Sequence, residues 1–459
     1  MEEIRPDQVH AILRKHMLVD GFDMVLDLDR SKGSYIVDAL TGKKYLDFFT
    51  FFATAPVGHN HPKLKTADMR KKLLRVAVNK PSNSDFYTVE MAEFVETFSR
   101  YAIPDYLPYM FLIDGGALAV ENALKAAFDW KVRKNFEKGY TEEKGHKVIH
   151  FREAFHGRSG YTLSLTNTSD PRKYQYFPKF NWPRVLNPKI TFPLNEENLA
   201  KVKEAEEVSL RQIRQAISQD PDDIAALIIE PIQGEGGDNH FRPEFFKALR
   251  EICDEHEILL IFDEVQTGVG LTGKMWAHEH FGVKPDIMAF GKKTQVCGIL
   301  AGRRLDEVKG HVFQESSRIN STWGGNLVDM VRFTRILEII QEENLVENAA
   351  RVGEYLLDGL LDMARDTDGQ MTNVRGRGLF IAFDLPTKEL RNTFLEKALK
   401  NGLILLASGD RSVRFRPPLN LSKEEASKGL EIIRKTLRSV LPKRAPAKGR
   451  SPNDTRYKL

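Results

Sequence analysis

The sequence has only two cysteines, Cys253 and Cys297, among 459 residues. Two cysteines exclude a disulfide framework, and they also exclude a zinc site built from cysteine ligands. Such low cysteine content is typical of proteins in a reducing compartment, so we expect a cytoplasmic location.

Long hydrophobic runs are also missing. The most apolar segments, such as 48–57 and 258–262, are far shorter than the roughly 20 residues that a membrane span needs. The first five residues include two glutamates and an arginine, and they lack the apolar core of a signal peptide. We therefore expect no membrane partner.

The chain has no strong excess of charge of either sign. It contains 68 basic and 64 acidic residues, which gives a net charge of +4. Residues 442–459 hold six basic residues and one acid, so this segment carries +5 and the remaining chain carries −1. A near-neutral body argues against nucleic acid as a partner, and we interpret 442–459 as a flexible basic tail.

The main positive feature is an alternation of apolar strands and helical segments that begins near residue 109. The pattern predicts strands at 109–113, 148–151, 226–229, 258–262 and 287–290, and helices at 117–130, 200–218 and 244–256. Such alternation predicts an α/β fold with a mostly parallel sheet. A separate hairpin is predicted over 34–47, with its turn at Thr41-Gly42.

The pattern changes after about residue 330, where a long helical segment (331–365) precedes short strands at 378–384, 403–407 and 413–416. This order is typical of a smaller α+β domain. We therefore predict four parts: an N-terminal segment (1–62) that packs with the small domain, a large domain (63–330), the C-terminal small domain (331–441) and the tail (442–459).

Residues 268–274 (GVGLTGK) match two nucleotide-binding motifs, G-x-x-x-x-G-K and G-x-G-x-x-G. The first motif needs a hydroxyl after its lysine to hold Mg²⁺, but Met275 stands there. The second needs its first glycine directly at a strand end, but five residues separate Gly268 from the predicted strand. We interpret the segment as a glycine loop and keep a nicotinamide-dependent oxidoreductase as an alternative.

Charged residues follow four of the predicted strands. Asp114, Glu230 and Asp263 stand at strand ends, and Lys292 lies two residues beyond the strand at 287–290. Because ligands in open α/β sheets bind beyond the carboxyl ends of the strands, we expect these side chains at one rim, beside a helix start at Gly115-Gly116. An amine, a carboxylate and a helix N-terminus suit the aldehyde, the ring nitrogen and the phosphate of pyridoxal phosphate.

Four sequence blocks resemble class III pyridoxal-phosphate aminotransferases, and they run in family order over nearly the whole chain. They are 155–158 (FHGR), 230–237 (EPIQGEGG), 263–268 (DEVQTG) followed by Lys292, and 321–326 (STWGGN). Segments 114–125 (DGGALAVENALK) and 290–298 (FGKKTQVCG) resemble the lysine branch of that family.

The resemblance implies an α/β fold of fold type I, in which a large cofactor-binding domain with a mostly parallel sheet is joined to a smaller α+β domain. It implies pyridoxal 5'-phosphate as the cofactor and a homodimer with shared active sites. The implied reaction moves the ε-amino group of L-lysine to 2-oxoglutarate and gives 2-aminoadipate 6-semialdehyde and L-glutamate. Another ω-aminotransferase, for ornithine or 4-aminobutyrate, and a cofactor-less binding protein on the same fold are the further alternatives.

The resemblance also implies residue roles. Lys292 is expected to bond to the cofactor aldehyde and move the proton, and Asp263 is expected to pair with the ring nitrogen. Further cofactor contacts are expected from Gly116, Ala117, Phe155, His156, Val265 and Gln266, and from Thr322 of the neighbouring subunit. Substrate contacts are expected from Arg158, which would hold a distal carboxylate, and from Glu235, Gln266, Asn320 and Arg414. Glu235 and Arg414 are expected to form a second carboxylate site, which is available only when Glu235 moves away from Arg414. Lys293 follows Lys292 directly, and family alignment favours Lys292.

Overall fold

The computed structural model describes residues 3–441, so the predicted tail at 442–459 lies outside the described residues. No helix in this part of the chain is long and apolar enough to cross a membrane. Its strands are β1 (Tyr35–Val37), β2 (Lys44–Asp47), β3 (Tyr109–Ile113), β4 (Lys147–Phe151), β5 (Arg184–Val185), β6 (Ile224–Ile229), β7 (Leu259–Asp263), β8 (Ile287–Phe290), β9 (Cys297–Ala301), β10 (Thr372–Arg377), β11 (Phe380–Asp384), β12 (Leu403–Ile404), β13 (Leu406–Ser408) and β14 (Ser412–Phe415).

The helices are α1 (Val9–Leu13), α2 (Thr50–Ala53), α3 (Ala67–Ala77), α4 (Val89–Tyr101), α5 (Gly116–Glu137), α6 (Gly160–Leu165), α7 (Glu196–Gln219), α8 (Pro243–Glu255), α9 (Leu327–Glu342), α10 (Leu345–Asp366), α11 (Lys388–Lys400) and α12 (Lys423–Val440). Among them α2 is a single left-handed turn, because all four of its residues have positive φ.

A seven-stranded sheet forms the centre of the large part of the fold, in the spatial order β3-β9-β8-β7-β6-β4-β5. The pairs from β8 to β5 are parallel, whereas β9 is antiparallel to both β3 and β8. Six strands therefore run in one direction, which confirms the predicted α/β class with a mostly parallel sheet. The antiparallel strand β9, second from one edge of the sheet, was not predicted.

Helices cover both faces of this sheet, and the strand β7 shows why its sequence is continuously apolar. Leu259 and Ile261 pack into the cluster that contains α5, while Leu260 and Phe262 pack into the cluster that contains α7 and α8. Side chains of a strand alternate between the two faces, so a strand covered on both sides needs apolar residues at every position.

The predicted hairpin is present as β1 and β2, which pair antiparallel with Tyr35 opposite Leu46. Strand β2 also pairs in parallel with β12, with Leu46 opposite Leu403. The N-terminal hairpin thus lies in one sheet with a strand from the C-terminal part of the chain. The domain boundaries stay a prediction.

Three details of the C-terminal part differ from the sequence prediction. The helical segment 331–365 is two helices, α9 and α10, separated at Asn344, whose φ of 50° interrupts the helical ladder. The predicted strand 403–407 is divided, because β12 joins the hairpin sheet while β13 pairs with β14 in a four-stranded sheet. Strand β10 was missed, and its turn at Gly378 (φ 52°) leads directly into β11.

We expect two glycines of α10 to differ in their tolerance of alanine, because they face different neighbours. A Cβ on Gly353 would overlap the backbone carbonyl of Gly378, whereas a Cβ on Gly359 would meet the end of the Leu430 side chain. Backbone cannot move aside as a side chain can, so Gly353→Ala should lower the free energy of unfolding by about 1–3 kcal/mol. Gly359→Ala is the matched control and should be near neutral, since alanine favours a helix by about 1 kcal/mol. Equal effects of the two changes in urea denaturation would contradict this packing.

Candidate active site

Four parallel strands bring the predicted reactive residues to one rim of the large sheet. Asp114 follows β3, Glu230 follows β6, Asp263 ends β7, and Lys292 follows β8 by two residues. Since β3, β6, β7 and β8 all run in the same direction, their carboxyl ends lie on the same side. The predicted placement at one rim is therefore confirmed by the topology.

Lys292 and Lys293 point to different surroundings. The Lys293 amine is buried and donates to the backbone carbonyl of Gln266 at 2.6 Å, whereas within residues 3–441 the Lys292 amine has no hydrogen-bond partner. Burial lowers the pKa of Lys292; the Asp263 carboxylate opposes this shift, and Arg414 adds to it. Burial lowers the pKa of the Lys293 amine as well, so the pKa does not distinguish the two lysines. The Lys292 amine is the one without a partner among the described residues, which suits covalent and proton-transfer chemistry, so the geometry favours Lys292 over Lys293.

Asp263 is buried and held from two sides. Its Oδ2 accepts a hydrogen bond from Nδ1 of His156 at 2.8 Å, and its Oδ1 accepts one from the Val265 backbone N–H at 3.0 Å. His156 is itself buried, and its Nε2 has no partner among the described residues. His156 therefore orients the Asp263 carboxylate, and its expected contact with the cofactor stays a prediction.

Glu230 is a further buried carboxylate at the rim. Its two oxygens accept hydrogen bonds from the backbone N–H groups of Phe155 (2.9 Å) and Gly234 (3.0 Å). Burial raises the pKa of Glu230 to about 7; the nearby Asp263 adds to the rise, while His156 opposes it. Glu230 thus connects the two loops that carry Phe155 and Gly234.

Small residues let the loops of the rim approach one another closely. Gly115 (φ 101°) precedes α5 as its N-cap and offers no side-chain cap. A Cβ on Gly116 would lie 2.9 Å from a methyl of Val265, and a Cβ on Gly157 would lie 2.6 Å from the Cβ of Ala117. The start of α5, the loop after β7 and the loop after β4 therefore converge on one point.

Pyridoxal phosphate fits this set of residues. The first backbone N–H groups of α5, at Gly116 and Ala117, have no intrahelical acceptor and suit a phosphate. The Lys292 amine is unpartnered and suits an aldehyde, and the oriented Asp263 carboxylate suits a protonated ring nitrogen. Because Gly116 and Ala117 have no hydroxyl, backbone groups alone would hold the phosphate from this helix.

The second part of the site comes from β14 and the residue after it. The guanidinium of Arg416 is fully buried, pairs with Asp238 at 2.9 Å and donates to Oε1 of Gln266 at 2.7 and 3.0 Å. The Arg414 guanidinium lies 3.4 Å from the same oxygen. With Oε1 occupied in this way, the amide N–H groups of Gln266 remain to donate into the site.

Glu235 lies between two cations. One carboxylate oxygen is 2.6 Å from Nη2 of Arg414, and the other is in direct contact with Nζ of Lys173. Burial acts to raise the pKa of Glu235, but Arg414 and Lys173 outweigh it and hold the pKa below its usual value. The predicted Glu235–Arg414 pair is therefore present, and it has a third member that the sequence did not suggest.

Three predicted residues are not joined to this set within the described chain. The side chains of Arg158, Asn320 and Thr322 are exposed, and within residues 3–441 none forms a hydrogen bond or ion pair with Lys292, Asp263 or Arg414. The segment with Thr322 is held by Asn83, whose backbone N–H donates to the carbonyl of Trp323 (3.1 Å) and whose side-chain amide donates to the carbonyl of Gly325 (2.9 Å). The expected contact of Thr322 is with a neighbouring subunit, and it stays a prediction.

The glycine loop at 268–273 does not have the structure of a phosphate-binding loop. It folds as turns in which Val269, Gly270 and Gly273 have positive φ, and only a short 3-10 turn, Ala277–His280, follows it. Glu264 holds this turn, because its carboxylate accepts from the backbone N–H groups of Ala277 and His278. This geometry favours the structural interpretation over the oxidoreductase alternative.

Two functional candidates were missed from the sequence, and only one of them had a signal. Arg416 lies two residues after Arg414, and a strand places residues i and i+2 on the same face, so the pattern could have included it. Lys173 lies in a loop 62 residues before Glu235, and no motif contains it.

Comparison with known proteins gives the same family as the sequence blocks. The family model for class III aminotransferases matches residues 18–437. The chain is 54% identical over 433 residues to an L-lysine-epsilon aminotransferase of Mycobacterium tuberculosis, covering 94% of this chain and 96% of the relative. It is 35% identical over 443 residues to a 4-aminobutyrate aminotransferase of Emericella nidulans, covering 92% and 86%. A solved lysine aminotransferase from M. tuberculosis superposes with a TM-score of 0.93 at 53% identity, over 95% of this chain and 100% of that one.

The raised pKa of Glu230 predicts a pH-dependent stability. The usual pKa of 4.5 applies to the unfolded chain, and the folded value is about 7. The folded protein therefore binds a proton more tightly, so this contribution is fully present below pH 4.5 and is lost as the pH rises through 7. Glu230→Gln cannot titrate. Between pH 4.5 and 8, the wild type should lose about 3 kcal/mol of unfolding free energy relative to the variant, measured by urea denaturation of both cofactor-free proteins. A stability difference that stays constant over this range would contradict the proposed burial.

Proposed function

The chain belongs to the class III aminotransferase family, and on that basis we propose that it transfers the ε-amino group of L-lysine to 2-oxoglutarate. The products are 2-aminoadipate 6-semialdehyde and L-glutamate, and the cofactor is pyridoxal 5'-phosphate. The observation that carries this proposal is the Glu235–Arg414 ion pair, whose guanidinium is buried and whose carboxylate is half-buried, and which lies beside the rim that holds Lys292.

Asp263 and Lys292 have separate chemical roles at the rim. When bound, pyridoxal 5'-phosphate supplies an aldehyde carbon that exchanges amino groups and a ring that withdraws electrons. The Asp263 carboxylate, fixed by His156, provides a negative charge at a buried position, which favours a protonated ring nitrogen. The Lys292 amine, whose pKa is lowered by burial, takes a proton at Nζ from the substrate carbon and returns it.

The Glu235–Arg414 pair separates the two substrates by their charges. L-Lysine presents its ε-amine to the rim, so its α-carboxylate extends away toward Arg158. It therefore does not pair with Arg414. L-Glutamate presents its α-amine and has a carboxylate at each end, so its α-carboxylate needs a second cation. Glu235 stays paired with Arg414 when lysine binds, and it leaves Arg414 when glutamate or 2-oxoglutarate binds. An uncovered arginine in a partly buried site would be costly with lysine bound.

The remaining assignments complete the proposal. Asn320 joins Arg158 in binding substrate, and Thr322 reaches the cofactor phosphate of the neighbouring subunit in a homodimer. Both side chains are exposed and lie on one segment, which supports a contact across subunits. A cytoplasmic location is supported by Cys253 and Cys297, which are both buried and unpaired.

An amino-donor panel with 2-oxoglutarate as acceptor tests the proposed function. Lysine, ornithine and 4-aminobutyrate are compared by the rate at which the purified holoenzyme forms glutamate. We expect lysine to have the highest kcat/KM and to give the 6-semialdehyde as its product. A preference for ornithine or 4-aminobutyrate would contradict the lysine assignment while leaving the family unchanged.

Removing Glu235 should weaken the selectivity for the ε-amine. In Glu235→Ala, Arg414 is open at all times, so the α-carboxylate of lysine or glutamate can bind there. We expect the preference for the ε-amine over the α-amine of lysine to fall ~10–100-fold, the range of a hydrogen bond to a charged group, and the rate with glutamate to rise. The regiochemistry of the lysine product, determined by mass spectrometry, measures the change.

A matched control is Glu206→Ala, because Glu206 forms a similar carboxylate–guanidinium pair with Arg242 at 2.9 Å, between α7 and the start of α8. This change removes a glutamate–arginine pair outside the site and should leave the regiochemistry unaltered. If Glu235→Ala keeps strict ε-selectivity and ordinary glutamate kinetics, Glu235 and Arg414 are only a structural pair.

A further inference from the structure

Lys173 gives the Glu235–Arg414 pair a second positive charge. Its Nζ contacts one oxygen of Glu235, while Arg414 holds the other. The three side chains are largely shielded, with 24% of Lys173, 22% of Glu235 and 2% of Arg414 exposed. The Lys173 amine also lies 5.9 Å from the ring centre of Phe155, so it faces the same loop that borders the rim.

The charge of this cluster differs from that of a simple ion pair. Glu235 and Arg414 alone are neutral, so a carboxylate that displaces Glu235 from Arg414 would leave one negative charge uncompensated. With Lys173 included, the cluster carries one positive charge and becomes neutral when one further carboxylate binds. A partly buried site tolerates such an anion only if it is paired, so the extra cation favours a dicarboxylate substrate.

The two cations sit on separate segments, which lets Glu235 leave one while it keeps the other. Arg414 belongs to β14, whereas Lys173 ends the short 3-10 turn Pro171–Lys173. That turn is capped by Asp170, whose carboxylate accepts from the Arg172 guanidinium at 2.9 Å and from its backbone N–H at 3.2 Å. The backbone of Lys173 is therefore held by this turn and does not depend on the position of Arg414.

We propose that Lys173 is a specificity-determining residue for the dicarboxylate half-reaction, because it keeps Glu235 paired while a substrate carboxylate occupies Arg414. The inference rests on the proposed function, in which Glu235 releases Arg414 for 2-oxoglutarate and glutamate. Lysine leaves Glu235 on Arg414, so the lysine half-reaction does not depend on Lys173.

The test uses the holoenzyme and three variants. Lys173→Met removes the charge and keeps the length, Lys173→Arg keeps the charge, and Lys189→Met is a control that removes another lysine paired with a glutamate, Glu153. Each half-reaction is followed separately by stopped-flow absorbance, first with lysine and then with 2-oxoglutarate. Binding of glutarate, a dicarboxylate without a reactive group, is measured by isothermal titration calorimetry.

We expect Lys173→Met to weaken glutarate binding about tenfold and to raise the 2-oxoglutarate concentration at half-maximal rate by a similar factor. The maximal rate and the whole lysine half-reaction should be unchanged. Lys173→Arg should retain most of the glutarate and 2-oxoglutarate binding, and Lys189→Met should behave as wild type. A merely structural role would slow both half-reactions together and would not separate arginine from methionine.

Two results overturn the inference. One is unchanged glutarate and 2-oxoglutarate binding in Lys173→Met, and the other is an equal loss in the lysine half-reaction. Failure of the proposed function is a different result: a wild type that does not transfer the lysine amine to 2-oxoglutarate. The glutarate measurement still reports on Lys173 in that case, since it needs only a dicarboxylate and not turnover.

Discussion

The common direction of β3, β6, β7 and β8 is the constraint on which the rest of the site depends. It places a carboxylate, an amine and a helix start at one rim, although Gly116 at the helix start and Lys292 are 176 residues apart along the chain. A buried carboxylate and a buried amine are costly unless each has a defined partner. Asp263 has His156 and a backbone N–H, whereas Lys292 has no partner in the described chain, and this asymmetry supports the proposal that Lys292 is the reactive group.

The smaller four-stranded sheet supplies the second half of the site through alternate residues. Arg414 and Arg416 both reach Gln266, which lies in the loop after β7. Arg416 is also paired with Asp238 and stacks 3.5 Å from the Phe380 ring centre, so its position is fixed by both parts of the fold. The position of the Glu235–Arg414 ion pair therefore depends on the contact between the two sheets.

Sequence patterns predicted the elements whose residues are apolar and the site residues that lie in recognisable blocks. β7 and β8 were predicted because burial on both faces requires continuous apolar runs. β10 was missed for the opposite reason: it contains Arg375, whose buried charge is balanced by Asp384 at 2.9 Å on the next strand. Such pairing exists only after folding, so a hydrophobic pattern cannot indicate it.

The same limit applies within the site. The contact between Lys173 and Glu235 joins a loop to a turn across 62 residues, and neither residue type nor spacing predicts it. The break between α9 and α10 depends on one residue, Asn344, in the left-handed conformation, and apolar spacing continues through it. Local backbone conformation and long-range charge pairing are thus the features that required the structure.

The unpartnered amine at the rim belongs to Lys292, and we propose that it is the one that bonds to the cofactor. Borohydride reduction of the holoenzyme, followed by proteolysis and mass spectrometry, identifies the lysine that is bonded to the cofactor. We expect the pyridoxyl group on Lys292, with Lys293 unmodified because its amine is held by the Gln266 carbonyl. A modified Lys293, or a cofactor that is released without any modified lysine, would show that Lys292 is not the residue bonded to the cofactor.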